Sequence, residues 1–155
     1  MHSNYAGRLQ RGLPQAYARS IISITEEVRM LENAQLYTSL PVKDLERAKQ
    51  FYQEKLGLTP KEETEGNVFY ETGGSKFFLY YSPSAGSNQT TAACFNVADV
   101  EGTVAQLKNR GVEFEHYDEI PGVRRDGDIH YNEQGFQCSW FKDSEDNIIS
   151  VSQYA

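Results

Sequence analysis

The residues best suited to acid–base or nucleophilic chemistry are two histidines and two cysteines. His130 lies in a polar stretch and is a candidate general base, because histidine changes charge closest to neutral pH. His116 lies just before the same stretch, and loop histidines are usually solvated. Cys94 and Cys138 have no base or cation near them in sequence that would lower a thiol pKa, so we expect two small, buried, unreactive residues. We therefore name no catalytic residue beyond His130 as a candidate.

Length and charge limit the classes of protein to which the chain can belong. Its 155 residues are typical of one domain, and a net charge of −7 argues against nucleic-acid binding. No apolar run approaches the ~18 residues of a membrane span, and two cysteines cannot build a disulfide framework. We expect a cytoplasmic protein with no nucleic-acid or membrane partner.

The first 33 residues differ from the rest and are interpreted as an N-terminal extension. Basic residues, among them Arg8, Arg11 and Arg19, dominate up to Glu26. This pattern fits a natural extension or, less well, a targeting segment. Residues 26–30 could also be encoded by a purine-rich ribosome-binding sequence followed by a start codon. Met30 is therefore a hypothesis for the true start.

The chain contains an internal repeat. Val42–Glu46 and Val97–Glu101 share valine, aspartate and glutamate at matching positions. Each segment predicts the start of a helix, with apolar residues on one face. Each predicted helix has an aspartate N-cap and a terminating glycine: Asp44 and Gly57 in the first copy, Asp99 and Gly111 in the second.

Strand-like segments surround both predicted helices. They cover residues 34–42, 67–71, 76–82, 90–97, 135–142 and 147–153. Each half thus contains one strand, one helix and about three further strands, while residues 117–134 form a long polar loop. The pattern predicts an α+β fold in a single domain, 34–155, with units at about 34–83 and 90–154 after the extension 1–33.

The order of these motifs resembles the vicinal oxygen chelate superfamily, which includes glyoxalase I, bleomycin and fosfomycin resistance proteins, and extradiol dioxygenases. The residues that carry the resemblance are Val42-x-Asp44-Leu45-Glu46-Arg47-Ala48-x-x-Phe51-Tyr52-x-x-x-Leu56-Gly57-Leu58, Phe95-Asn96-Val97-x-Asp99-Val100-Glu101 and Trp140-Phe141-x-Asp143-Ser144-Glu145-Asp146-Asn147. The resemblance implies two βαβββ units whose mixed sheets curl around a cavity. The last motif departs from the family's Asp-Pro-Asp-Gly-Asn turn, but we expect the hairpin to survive because Asp and Asn tolerate turn geometry.

The resemblance also implies where a metal would bind. Metal-dependent members use His, Glu or Gln side chains on the first and last strands of each half. Those positions correspond here to Tyr37, Phe78, Ala92 and Ser150. Such side chains do not make a divalent metal site, so we expect no metal and no other cofactor.

The remaining side chains of these strands are aromatic or small and weakly polar. They predict an aromatic ligand-binding cavity lined by Tyr37, Ser39, Phe78, Tyr80, Ala92, Cys94, Trp140 and Ser150. The resemblance then implies a metal-independent homodimer, similar to bleomycin resistance proteins, that binds a small organic molecule. Aromatic walls suit an aromatic or cationic guest.

Two other functions stay open. One is a metal-dependent lyase, isomerase or dioxygenase of the glyoxalase type, with ligands drawn from His130, His116 or Glu71. The other is an interaction module whose pocket is vestigial and filled by side chains.

Overall fold

The computed structural model describes residues 31, 32 and 34–154. Residues from Tyr37 onward form one compact unit. The predictions about the N-terminal extension and about a start at Met30 concern residues that lie almost wholly outside the described part, and they stay predictions.

The compact unit contains two helices and ten strands. In chain order these are β1 (Thr38–Val42), α1 (Leu45–Glu54), β2 (Glu62–Thr64), β3 (Asn67–Thr72), β4 (Ser75–Tyr81), β5 (Thr91–Asn96), α2 (Val100–Asn109), β6 (Phe114–Glu115), β7 (Arg124–Asp126), β8 (Ile129–Tyr131), β9 (Gln137–Lys142) and β10 (Ile148–Gln153). Neither described helix has the length and apolar character needed to cross a bilayer.

The strands form two mixed sheets with the same internal plan. Sheet 1 has the order β1-β4-β3-β2, and sheet 2 has the order β5-β10-β9-β8-β7, with β6 paired to β9. In each half the first strand pairs in parallel with the last, and the last pairs antiparallel with the strand before it. The predicted α+β fold with two sheets of mixed strands is confirmed.

Both helices begin and end as the repeated motif predicts. The side chains of Asp44 and Asp99 accept hydrogen bonds from the backbone N–H groups of Arg47 and Gly102. These bonds satisfy donors that have no partner inside the helix. Gly57 follows α1 with φ +72°, a backbone conformation that costs glycine little.

One hydrophobic core connects the two sheets with the two helices. Leu40 and Val42 of β1 and Ile149 and Val151 of β10 belong to the same buried cluster. The cluster also contains the apolar faces of both helices, including Ala48, Tyr52, Val100, Val104 and Leu107. Both helices therefore pack on the same side of the two sheets, and every second strand residue points to the opposite side.

Two segments differ from the sequence-based prediction. The first strand begins at Thr38 and not at residue 34, so Tyr37 precedes it. The segment 117–134 is not a plain loop, because β7 and β8 form an antiparallel hairpin within it. Short strands of three residues give little periodic signal, which explains why the pattern missed them.

Candidate functional site

The candidate site is the side of the two sheets that points away from α1 and α2, here called the distal face. Strand pairing shows that its two halves are equivalent. Ser39 pairs with Phe78, which pairs with Phe69. Cys94 pairs with Ser150, which pairs with Trp140. Ser39 lies five residues before the helix cap Asp44, and Cys94 lies five residues before the helix cap Asp99. Ser39, Phe78 and Phe69 therefore correspond to Cys94, Ser150 and Trp140.

The first half of the distal face is an aromatic row. The ring centres of Phe69 and Phe78 are 5.3 Å apart, and those of Phe78 and Tyr80 are 6.1 Å apart. All three side chains are partly exposed, while the alternate residues of β4, Phe77 and Leu79, are buried in the core. The strand register therefore places Phe78 and Tyr80, both predicted ligand-binding residues, side by side.

Tyr37 and Ser39 lie at one end of this row. Ser39 is exposed and adjacent to Phe78 in the sheet. The Nζ atom of Lys76 lies 6.0 Å from the ring centre of Tyr37 and forms an ion pair with Glu71 at 3.1 Å. Lys76 and Glu71 therefore neutralise each other beside the row.

The second half of the distal face has small side chains at Cys94 of β5 and at Ser150 and Ser152 of β10. Cys94 is exposed, and its Sγ lies 3.3 Å from Ser152 Oγ. Cys138 is buried, and burial raises the pKa of its thiol to about 12. The expectation of two buried cysteines therefore holds for Cys138, whereas the structure exposes Cys94.

Trp140 lies on the outer side of these small residues. Its indole Nε1–H donates to Thr91 Oγ1 at 3.0 Å. The rings of Tyr117 and His130 pack against it edge-on, with ring centres 5.3 Å and 4.9 Å away. Neither Thr91 nor Tyr117 was identified from the sequence.

Ala92 shows why Thr91 could not be identified. Thr91 pairs with Ile148 and Ala93 pairs with Ile149, so Ala92 is an extra residue in β5 that forms a bulge. Ala92 packs against the hydrophobic core. Strict alternation assigns Ala92 to the distal face, but the bulge changes the side on which the preceding residues lie.

His130 is buried beneath Trp140 and does not project into solvent. Only 1% of it is exposed, and its Nε2 accepts a hydrogen bond from the Tyr117 backbone N–H at 3.1 Å. Burial and the charge of Arg125 lower its pKa, although Asp118 acts in the opposite direction. A neutral histidine whose Nε2 is already occupied is better suited to positioning Tyr117 and Trp140 than to abstracting a proton.

A buried polar turn on the core side connects the two halves. Glu145 accepts hydrogen bonds from the backbone N–H groups of Lys43 and Asp44, and from the Arg47 side chain at 2.7 Å. Burial opposes the charge of Glu145, but these hydrogen bonds outweigh it and lower the pKa of the carboxyl. The turn that departs from the family motif thus fixes the start of α1.

The same turn is built around Asp143. Its carboxylate accepts bonds from Tyr52 Oη at 3.0 Å and from the backbone N–H groups of Glu145 and Asn147. Asp146 has φ 63°, the left-handed conformation for which the family uses glycine. The prediction that the hairpin survives its substitutions is confirmed.

The positions implied for metal ligands do not fit a divalent ion. They hold a tyrosine, a phenylalanine, an alanine within a bulge and a buried serine, which together supply no carboxylate or imidazole. Among the residues that the structure describes, no group of three or more His, Cys, Asp or Glu side chains is placed to hold a metal ion.

The sequence of residues 34–145 matches the Glyoxalase/Bleomycin resistance protein/Dioxygenase superfamily. The chain belongs to this superfamily. No match was found among curated proteins.

Solved structures of superfamily proteins share the fold at low sequence identity. A bleomycin-binding protein complexed with bleomycin is 18% identical, with a TM-score of 0.59 over 79% of this chain and 100% of the other. Lactoylglutathione lyase from Agrobacterium tumefaciens is 18% identical, with a TM-score of 0.58 over 78% and 93%. A fosfomycin resistance protein from Listeria monocytogenes, complexed with Mn(II) and a dihydroxypropylphosphonic acid, is 16% identical, with a TM-score of 0.58 over 79% and 91%. At these identities the likeness shows the fold alone.

Proposed function

We propose that this superfamily member binds a small organic molecule on its distal face without a metal ion. The observation that carries the proposal is the partly exposed row of Phe69, Phe78 and Tyr80. A contiguous row of aromatic side chains left partly open on a sheet is more often a binding surface than a packing defect.

The chemistry of the row defines the class of ligand. Three adjacent rings offer flat apolar surfaces on which a planar aromatic group stacks. The same surfaces attract an organic cation. Exposed Ser39 and Cys94 add a hydroxyl and a thiol at the boundary between the two halves. Polar groups of this kind orient a ligand that is bound mainly by apolar contact.

The donor set supports binding without metal. The aromatic residue Phe78 and the buried Ser150 stand at the last-strand positions where metal-dependent relatives are expected to carry donors. We therefore assign no reaction step to a metal in this chain. A structurally similar protein is complexed with bleomycin, which supports the proposal.

Two finer points belong to the same proposal. The first is that the protein is cytoplasmic. The second is that it forms a homodimer, because edge strands such as β2, whose residues are all exposed, are costly to leave unpaired. Analytical ultracentrifugation tests the dimer, with a monomer at micromolar concentration as the opposing result.

The test uses full-length, EDTA-treated protein and bleomycin as the first probe, followed by a panel of planar aromatic compounds and organic cations. Calorimetric titration is expected to give the same dissociation constant with and without EDTA. Replacing Phe78 with serine, the residue at the equivalent position of the second half, is expected to weaken binding about tenfold or more.

The matched control is Tyr81→Ser. Tyr81 lies on the same strand but on the other side, and 61% of it is exposed. The affinity of the Tyr81→Ser variant for the probe should stay within about twofold of that of the unchanged protein. Binding that EDTA abolishes and Mn(II) restores would replace this proposal with the metal-dependent enzyme, and no binding of any probe would replace it with the interaction module.

A further inference from the structure

The indole of Trp140 lies across its neighbouring strand. Trp140 is on β9 and pairs with Ser150 of β10, yet its Nε1–H reaches Thr91 Oγ1 on β5 at 3.0 Å. Because β10 lies between β9 and β5, the indole has to pass over β10. Ser150, the partner of Trp140 on β10, is only 4% exposed, although it lies on the distal face beside exposed Cys94.

Thr91 is available as the acceptor because of the bulge at Ala92. In a regular strand, Thr91 and Cys94 are three residues apart and point to opposite sides. The extra residue restores them to the same side, where Thr91 meets the indole. The bulge therefore positions a hydroxyl at the far end of Trp140.

The other side of the indole is fixed by the hairpin β7–β8 and the segment before it. Tyr117 and His130 pack edge-on against the ring, and the hydrogen bond from the Tyr117 N–H to His130 Nε2 links the two. A side chain bonded at its far end and packed against two neighbouring rings has one orientation available to it.

The equivalent residue of the first half is arranged differently. Phe69 packs against the large side chain of Phe78, its partner on β4. Because Phe78 fills the space above β4, the Phe69 ring does not cross that strand. Trp140 has serine and cysteine as its neighbours along the row and bends into the space that they leave. The two halves thus present different surfaces at the same place in the repeat.

We infer that Trp140, positioned by Thr91, determines which ligands the distal face accepts. The inference rests on the proposed function and names the residue that sets its selectivity. The indole lies over β10 at Ser150 and leaves Cys94 exposed, so a ligand can stack on the aromatic surface but cannot insert between β9 and β5. Removal or rotation of the indole opens a space over Ser150 that accepts a flat apolar molecule of the size removed.

The experiment uses free indole as the probe, because it matches the group that the variant lacks. Full-length Trp140→Ala is expected to bind indole at least about tenfold more tightly than the unchanged protein. Phe69→Ala is the matched control at the equivalent position of the first half, and it should show no gain, because Phe69 covers no small residue.

A second variant keeps the test valid if Trp140→Ala does not fold. Thr91→Val removes the hydrogen-bond acceptor of the indole and keeps the shape of the side chain. The matched control is Thr90→Val, which alters a neighbouring threonine that bonds to Asn88. The chain has a single tryptophan, so its fluorescence reports the indole directly. Thr91→Val is expected to shift the emission to longer wavelength, increase quenching by acrylamide and tighten indole binding, and Thr90→Val to change none of these.

An unchanged spectrum and unchanged indole affinity in Thr91→Val, or an equal gain in Phe69→Ala, would overturn the inference. The outcome of the indole-binding test can be distinguished from the outcome of the Phe78→Ser titration, which tests the proposed function. Indole binding by these variants does not depend on the natural ligand, and loss of the bleomycin response in Phe78→Ser does not depend on Trp140.

Discussion

The two halves of the protein share one strand plan but present different surfaces. Phe78 and Ser150 occupy equivalent positions, as do Phe69 and Trp140. The first half has aromatic side chains on adjacent strands, which form a partly exposed row. The second half has one large indole that crosses β10 at Ser150, which is buried. The backbone repeat therefore fixes where a site can form, and the sizes of neighbouring side chains decide whether it is open.

The halves also differ in how their hairpin turns are used. The turn between β9 and β10 buries Asp143, Glu145 and Asn147 and bonds to the first half. The turn between β3 and β4 consists of exposed residues around Gly73 and Gly74. The second half thus supplies the polar contacts that join the two units.

The largest expected effect is the loss of the Asp143 carboxylate. Asp143→Ala leaves Tyr52 and the backbone N–H groups of Glu145 and Asn147 without an acceptor in a buried site. We expect the free energy of unfolding to fall by about 3 kcal/mol, measured by urea denaturation. Thr72→Ala, at the equivalent end of β3, should cost under about 0.5 kcal/mol. Equal losses in both variants would remove the asymmetry between the turns.

A second test uses pH, because both described histidines lie in the second half. Burial lowers the folded pKa of His130, so the unfolded chain binds a proton that the folded chain does not. Stability should be constant above about pH 6.5 and decrease as the pH falls below it, by at most about 1.4 kcal/mol per pH unit. His130→Phe should abolish this slope between pH 5 and 7, and His116→Gln should leave it in place. A slope that persists in His130→Phe would assign it to another group.

The smallest expected effect concerns backbone strain in the turn. Asp146 has φ 63°, so Asp146→Gly should raise the free energy of unfolding by about 0.5 kcal/mol. The opposite change, Gly74→Asp, should lower it by a similar amount, because φ is +80° and no atom within 4 Å of the added Cβ offers a contact that offsets the strain. Thermal unfolding of both variants checks the opposite signs. A loss of stability in Asp146→Gly would show that the Asp146 side chain makes a favourable contact.

Most of the fold could be predicted because its signals are local. An aspartate cap and a terminal glycine are read within a few residues of Asp44 or Gly57, and strand alternation correctly separates Phe78 from Phe77. The candidate site was only partly accessible to the same reasoning. Phe69 could have been found from the alternation of β3, whereas the three-residue strands β7 and β8 gave no usable period.

The sequence by itself determined the duplicated plan, the helix ends and the aromatic character of β4, since each depends on neighbouring residues and on a regular period. Only the tertiary structure decided that Thr91 meets Trp140 and that His130 is buried. A one-residue bulge at Ala92 reverses side-chain direction without any mark in the pattern. The burial of His130 depends on β9 and on Tyr117, which approach it only after the strands have paired.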